Sequence, residues 1–172
     1  IVEVFSAGDE TELFVNGKSQ GKKQAGEAAD YRVLYEITVE SGELCAVSYQ
    51  NGSIIGKDVL YSSHGAKQIV VCTEEQSKTD TLVFVNIELH DAAGNLETDD
   101  DRELSIQVEG GAKLIAFGSA DPKTAYSYTA STAKTFFGKA LAVLKRTAAL
   151  EATANITVTV SAHGLPLTHI TL

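Results

Sequence analysis

The 172-residue chain has no tryptophan, no methionine, two cysteines and two prolines. Without tryptophan, the largest ring that could serve as a flat platform for a sugar is missing, and tyrosine or phenylalanine would have to take that role. Cys45 and Cys72 fall in strands assigned below to different domains, so neither a disulfide nor a metal site is expected and both read as free thiols. The chain lacks an apolar run long enough to cross a bilayer, and its N-terminus carries neither a basic region nor an apolar signal segment. The absence of methionine and the direct start on the alternating strand IVEVF suggest a segment of a longer polypeptide. Its compartment is therefore unspecified.

Positive charge is scarce as well. Fourteen Lys and Arg against twenty-three Asp and Glu leave a net charge of −9, an unfavourable field for a polyanion. Neither nucleic acid nor a membrane is an expected partner. Catalytic and cofactor signatures are missing too: there is no GxSxG nucleophile elbow, no HExxH or HxH pair, and no Walker or dinucleotide glycine pattern. No cofactor is expected.

What remains is strand chemistry. Fourteen glycines punctuate short runs rich in Val, Ile, Thr, Tyr and Phe, the composition of an all-β protein. The clearest run is Thr81–Asn95, in which Val83, Val85, Ile87 and Leu89 alternate with Asn86, Glu88 and His90. Such a strand needs a facing sheet to cover its apolar row, which predicts a β-sandwich. Strands are read at Val2–Ser6, Thr11–Val15, Tyr31–Val39, Glu43–Tyr49 and Ser53–Tyr61, with hairpin turns at Asn16-Gly17 and Asn51-Gly52. Lys18–Asp30 reads as a polar, glycine-containing connection. Ser62–Ala66 reads as a short linker. Beyond it, strands are read at Gln68–Thr73, Leu82–His90, Glu103–Glu109, Ala112–Gly118, Lys139–Arg146, Ile156–Ala162 and Leu167–Leu172. Seven strands in about a hundred residues is an immunoglobulin-like count. The expected architecture is all-β, two tandem immunoglobulin-like sandwiches over residues 1–62 and 66–172. Ser131–Ala154 is ambiguous. Its composition favours helix, whereas its context and Gly138 favour a strand at Lys139–Arg146 and a helical turn at Thr147–Ala154.

Glycoside hydrolysis by two carboxyls needs them about 5–5.5 Å apart for retention, on a rigid scaffold. The acidic residues here fall at turns and outward strand positions such as Glu88, Glu103 and Glu109, which reads as a solvated face. The chain is also too short for a (β/α)₈ barrel of about 250 residues. Asp99-Asp100-Asp101 lacks the glycine and terminal glutamate spacing of a calcium loop. His64, His90, His163 and His169 are scattered. The best candidates for carbohydrate contact are Tyr126 and Tyr128, two apart in AYSYTAS, with Asp121 beside them. No catalytic or metal residue is assigned.

The segments VEVFSAGDETELFVNGKSQGKK and ESGELCAVSYQNGSIIGKDVL resemble the small β-sandwich that follows the catalytic barrel in bacterial β-galactosidases of glycoside hydrolase family 2. TDTLVFVNIELHDAAGN, VEGGAKLIAFGSADP, KTFFGKALAVL and ITVTVSAHGL resemble the immunoglobulin-like domain that ends those enzymes. Two positions depart from the pattern. The loop Gly118-Ser119-Ala120-Asp121-Pro122 lacks a second glycine and an asparagine, and Tyr35 stands where a tryptophan is usual. The resemblance implies a retaining β-glycosidase parent acting on β-galactosides, whose catalytic glutamates lie in the barrel outside this chain. The implied role of the chain is non-catalytic: packing against the barrel and other domains of the parent, with homo-oligomer contacts as a further role. A carbohydrate-binding module and a cell-surface adhesive array are the alternative readings, since similar sandwiches serve both.

Overall fold

The computed structural model describes residues 1–73, 81–147 and 155–172, and within them it is built from antiparallel strands and one short 3-10 turn at Gly26–Ala29. The chain divides into two compact units, Ile1–Ser62 and Ser63–Leu172.

The first unit contains β1 (Val2–Phe5), β2 (Glu10–Val15), β3 (Lys18–Gln24), β4 (Arg32–Tyr35), β5 (Glu43–Gln50) and β6 (Ser53–Tyr61). A four-stranded sheet in the order β3-β2-β5-β6 packs against the two-stranded sheet β1-β4. Val4, Leu13, Val33 and Tyr35 fill the space between them. Both Asn-Gly pairs form the expected reversals. Asn16 and Gly17 have φ of 50° and 75°, and Asn51 and Gly52 have 49° and 77°. Two successive left-handed residues match the right-handed twist of the flanking strands.

Two expectations need correction. The polar connection Lys18–Asp30 contains β3, an edge strand whose residues are nearly all exposed. With neither face buried, it had no apolar alternation to reveal it. The strand expected over Tyr31–Val39 is regular only at Arg32–Tyr35. Its ladder partner β1 pairs with those four residues alone, and a strand exists only where a neighbour completes its hydrogen bonds. Beyond the ladder, Ile37 still packs against the core.

The second unit contains β7 (Lys67–Thr73), β8 (Leu82–Asp91), β9 (Glu103–Gly110), β10 (Ala112–Gly118), β11 (Thr132–Lys134), β12 (Lys139–Arg146), β13 (Ile156–Ala162) and β14 (Thr168–Thr171). They form two four-stranded sheets, β10-β12-β8-β7 and β11-β9-β13-β14. Val83, Val85, Ile87 and Leu89 of β8 meet Leu104 of β9 and Ile156, Val158 and Val160 of β13 in a fully buried core. Within the ambiguous stretch, Lys139–Arg146 is a strand. Ala140, Ala142 and Leu144 alternate inward, and β12 pairs with β8 from Lys139↔Glu88 to Lys145↔Leu82. Local helix propensity, a few tenths of a kcal/mol per residue, is outweighed by these ladder bonds and the buried row. The helical turn expected at Thr147–Ala154 lies, from residue 148 onward, outside the described residues. The short strand β11 was not anticipated.

Candidate interaction surface

The two outer faces of the Ser63–Leu172 sandwich differ in chemistry. On the β11-β9-β13-β14 sheet the outward positions are Glu103, Ser105, Gln107 and Glu109 on β9 and Thr157, Thr159 and Ser161 on β13. This is the ordinary polar exterior of an antiparallel sheet. On the other sheet, cross-strand pairs Val143↔Phe84 and Ala116↔Val143 lie beside Leu141 and Leu82. Phe84 is 38% exposed and Leu141 39%. Asn86 pairs with Leu141 within this face, and the charged residues stand toward its margins. Lys113 and Lys145 pair across β10 and β12 at one end, and Lys139 and Glu88 form a 3.0 Å ion pair at the other. His90 Nε2 lies 2.8 Å from the same Glu88 carboxylate. Burial pushes the Glu88 carboxyl up, but its bonds to His90 and Lys139 outweigh this and hold it below its usual value.

Where β10 meets β12, this face opens into a concavity of about 590 Å³ whose walls include Tyr128, Phe136, Phe137, Leu141 and Val143, with Asn86, Ser119 and Lys139 as its polar groups. The backbone of Tyr128 is anchored, its carbonyl accepting the Phe117 N–H at 2.7 Å. Its ring rests on Gly118.

Phe136 and Phe137 sit in a tight hairpin before β12. Phe136 N–H donates to the Lys139 carbonyl at 2.9 Å, and Lys139 N–H donates back at 3.2 Å. The two central residues, Phe137 and Gly138, have φ of 49° and 71°. The second is glycine for two reasons: the left-handed backbone, and a β-carbon that would lie 1.7 Å from the Glu97 carbonyl oxygen. The first is a bulky aromatic in a conformation that costs such a residue on the order of 1 kcal/mol. The residue is nevertheless 57% exposed, and its ring lies with its centroid 4.5 Å from that of Phe136.

The acidic run before β9 supports this hairpin. Asp101 Oδ1 accepts the Gly138 N–H at 3.0 Å and the Thr135 hydroxyl at 3.1 Å, while Asp100 is paired with Arg102. Nearby, the buried Glu97 carboxylate is paired with Lys67 and accepts the Ser63 hydroxyl and the Asp99 N–H, both at 2.7 Å. Burial alone would raise its pKa, but these partners together bring it down to about 2. Asp91 is likewise buried, and N–H groups of His64, Ala93 and Asn95 keep it well below the usual carboxylate range. These carboxylates tie loops down. Among the described residues, no group of three or more His, Cys, Asp or Glu gathers as a metal site would require.

Of the three residues singled out for carbohydrate contact, only Tyr128 lines the concavity. The Tyr126 hydroxyl donates to Glu103, which raises its pKa. Asp121 Oδ1 accepts the Lys123 N–H at 2.8 Å and shapes a turn. Phe136 and Phe137 were not singled out, although a Phe-Phe-Gly sequence directly before a strand was the available signal.

A family model for the C-terminal domain 5 of glycoside hydrolase family 2 matches residues 70–171, and a model described as a domain of unknown function matches residues 1–56. The β-galactosidase BoGH2A of Bacteroides ovatus is 26% identical over 144 residues, which are 82% of this chain and 17% of that protein. A Formosa agariphila protein provisionally named a β-glucuronidase is 29% identical over 150 residues, 84% of this chain and 14% of its own length. The crystal structure of a glycosyl hydrolase family 2 member from Bacteroides cellulosilyticus superposes with a TM-score of 0.90 at 27% identity, covering 99% of this chain and 23% of that one. The chain thus spans less than a fifth of the curated relatives it matches. The family model covers more than half of the chain, from within β7 to the end of β14, and the chain belongs to the C-terminal domains of glycoside hydrolase family 2.

Proposed function

We propose that this chain is the non-catalytic C-terminal accessory region of a retaining β-galactosidase. Residues 1–62 would be the small module that follows the catalytic barrel, and residues 66–172 the terminal immunoglobulin-like domain. The observation that carries this reading is the coverage: 82% of the chain aligns with only 17% of the β-galactosidase BoGH2A, leaving ample length elsewhere for a barrel and its paired glutamates. The carboxylates of the larger sandwich serve turns and loops, as Asp91, Glu97 and Asp101 do, in keeping with a packing role. The catalytic barrel and other domains of the same enzyme are the partners, with contacts between enzyme copies as a further role.

The full reading frame, expressed and assayed on aryl β-galactosides and β-glucuronides, tests this. The expected result is hydrolysis of the galactoside with retention at the anomeric carbon, and no turnover by residues 1–172 alone. Turnover by residues 1–172 would refute the accessory role. A second substrate reading has its own support, since the relative at 29% identity carries a β-glucuronidase name. Preferential cleavage of the glucuronide would select it.

A further inference from the structure

We infer that the outer face of the β10-β12-β8-β7 sheet is the seat of another domain of the same polypeptide, one that lies outside residues 1–172 and presents an apolar surface with an acidic margin. This rests on the reading of the chain as part of a larger enzyme, and four observations lead to it. The two outer faces of one sandwich differ, the opposite one being polar at Glu103, Ser105, Gln107 and Thr159 while this one exposes Phe84 and Leu141. A solvated face has no use for such residues, whereas a covered one gains from burying them. Phe137 is held in a left-handed conformation at the rim and still presents its ring to solvent. Strain kept at an exposed aromatic points to a partner that uses the ring.

The margin narrows the choice of partner. In a chain of net charge −9, this face carries Lys113, Lys139 and Lys145 against Glu88. That local excess suits an acidic surface. A second copy would bring two strongly acidic chains together, and a two-fold contact would set the same lysines against one another. A glycan would need polar partners for its hydroxyls, and the concavity offers few. The relatives, in contrast, have more than four-fifths of their length outside the match.

Thiol accessibility in the full-length enzyme tests the assignment. In a Cys72→Ser background, Leu141→Cys and Gln107→Cys introduce one thiol on each outer face, and Val143→Cys, two residues along β12, repeats the first reading if Leu141→Cys folds poorly. Iodoacetamide should label position 141 or 143 at least tenfold more slowly than position 107 under native conditions. That protection should be unaffected by dilution or by added oligosaccharides, and urea should abolish the difference. Equal native rates overturn the inference. So does protection that fades on dilution, which means a second copy, or protection that appears only with oligosaccharide, which means a glycan site. Glycosidase assays on the same preparations separate the two proposals. An inactive enzyme with a protected position 141 refutes the galactosidase reading alone, and an active enzyme with free labelling refutes the docking face alone.

Discussion

The ring of Tyr128 occupies the space that a β-carbon on Gly118 would fill, with two ring carbons 2.3 Å from that position. The glycine is there for room, not for backbone freedom, and it lets an aromatic ring lie directly on β10. Gly118→Ala should therefore push the ring outward, reshape the concavity and cost about 1 kcal/mol. Chemical denaturation gives the cost. The Gly118 α-proton shifts, which the ring should displace in the native protein, report its position and should return to ordinary values in Tyr128→Ala.

The hairpin at Phe137-Gly138 should respond in opposite directions to two substitutions. Gly138→Ala meets both the left-handed backbone and the Glu97 carbonyl oxygen at 1.7 Å, and should destabilise by more than about 2 kcal/mol. Phe137→Asn places a residue that tolerates φ of 49°, and should leave stability unchanged or raise it by up to about 1 kcal/mol. Urea midpoints of the two variants check the contrast.

The Glu97 carboxylate makes the larger sandwich acid-sensitive. Its pKa falls from 4.5 to about 2 on folding, so its stabilisation is complete above about pH 4.5 and is lost as the pH drops toward 2. The difference corresponds to about 3 kcal/mol. Glu97→Gln should be markedly less stable than the native protein at neutral pH, and the gap should close near pH 2. Thermal midpoints measured across that range test the sign.

In the smaller sandwich, the Tyr35 hydroxyl donates to the Thr11 carbonyl at 2.7 Å and lies 2.9 Å from the Thr11 hydroxyl, with both residues buried. Tyr35→Phe should cost about 1–3 kcal/mol by leaving polar atoms unpaired. Adding Thr11→Val should recover part of that loss, because it removes the stranded hydroxyl. A double-mutant cycle in urea measures the recovery.

In the larger sandwich, alternation was a dependable guide where one face is buried, whereas in the smaller one it overran β4, which is regular only at Arg32–Tyr35. β8, β12 and β13 emerge at or within a residue of their expected bounds because Val, Ile, Leu and Ala recur every second position, and β10 does so although a register shift between Leu114 and Ala116 breaks its alternation. β3 and β11 were illegible for the opposite reason. The first is exposed on both sides, and the second is three residues long.

The candidate surface was less legible than the core. Tyr128 was recognisable as an aromatic in a loop, but its company was not. Phe137 lines the concavity from a hairpin whose Gly138 N–H is capped by Asp101, thirty-seven residues earlier. Tyr126, two residues from Tyr128, is drawn instead to Glu103.

By itself, the sequence determined an all-β architecture, its inward rows and its Asn-Gly reversals, because those depend on period-two burial and local backbone sterics. Only the tertiary structure decided which outward residues share a face. That depends on strand order and register, which bring Phe84, Val143 and Ala116 into one row from three separate stretches of chain.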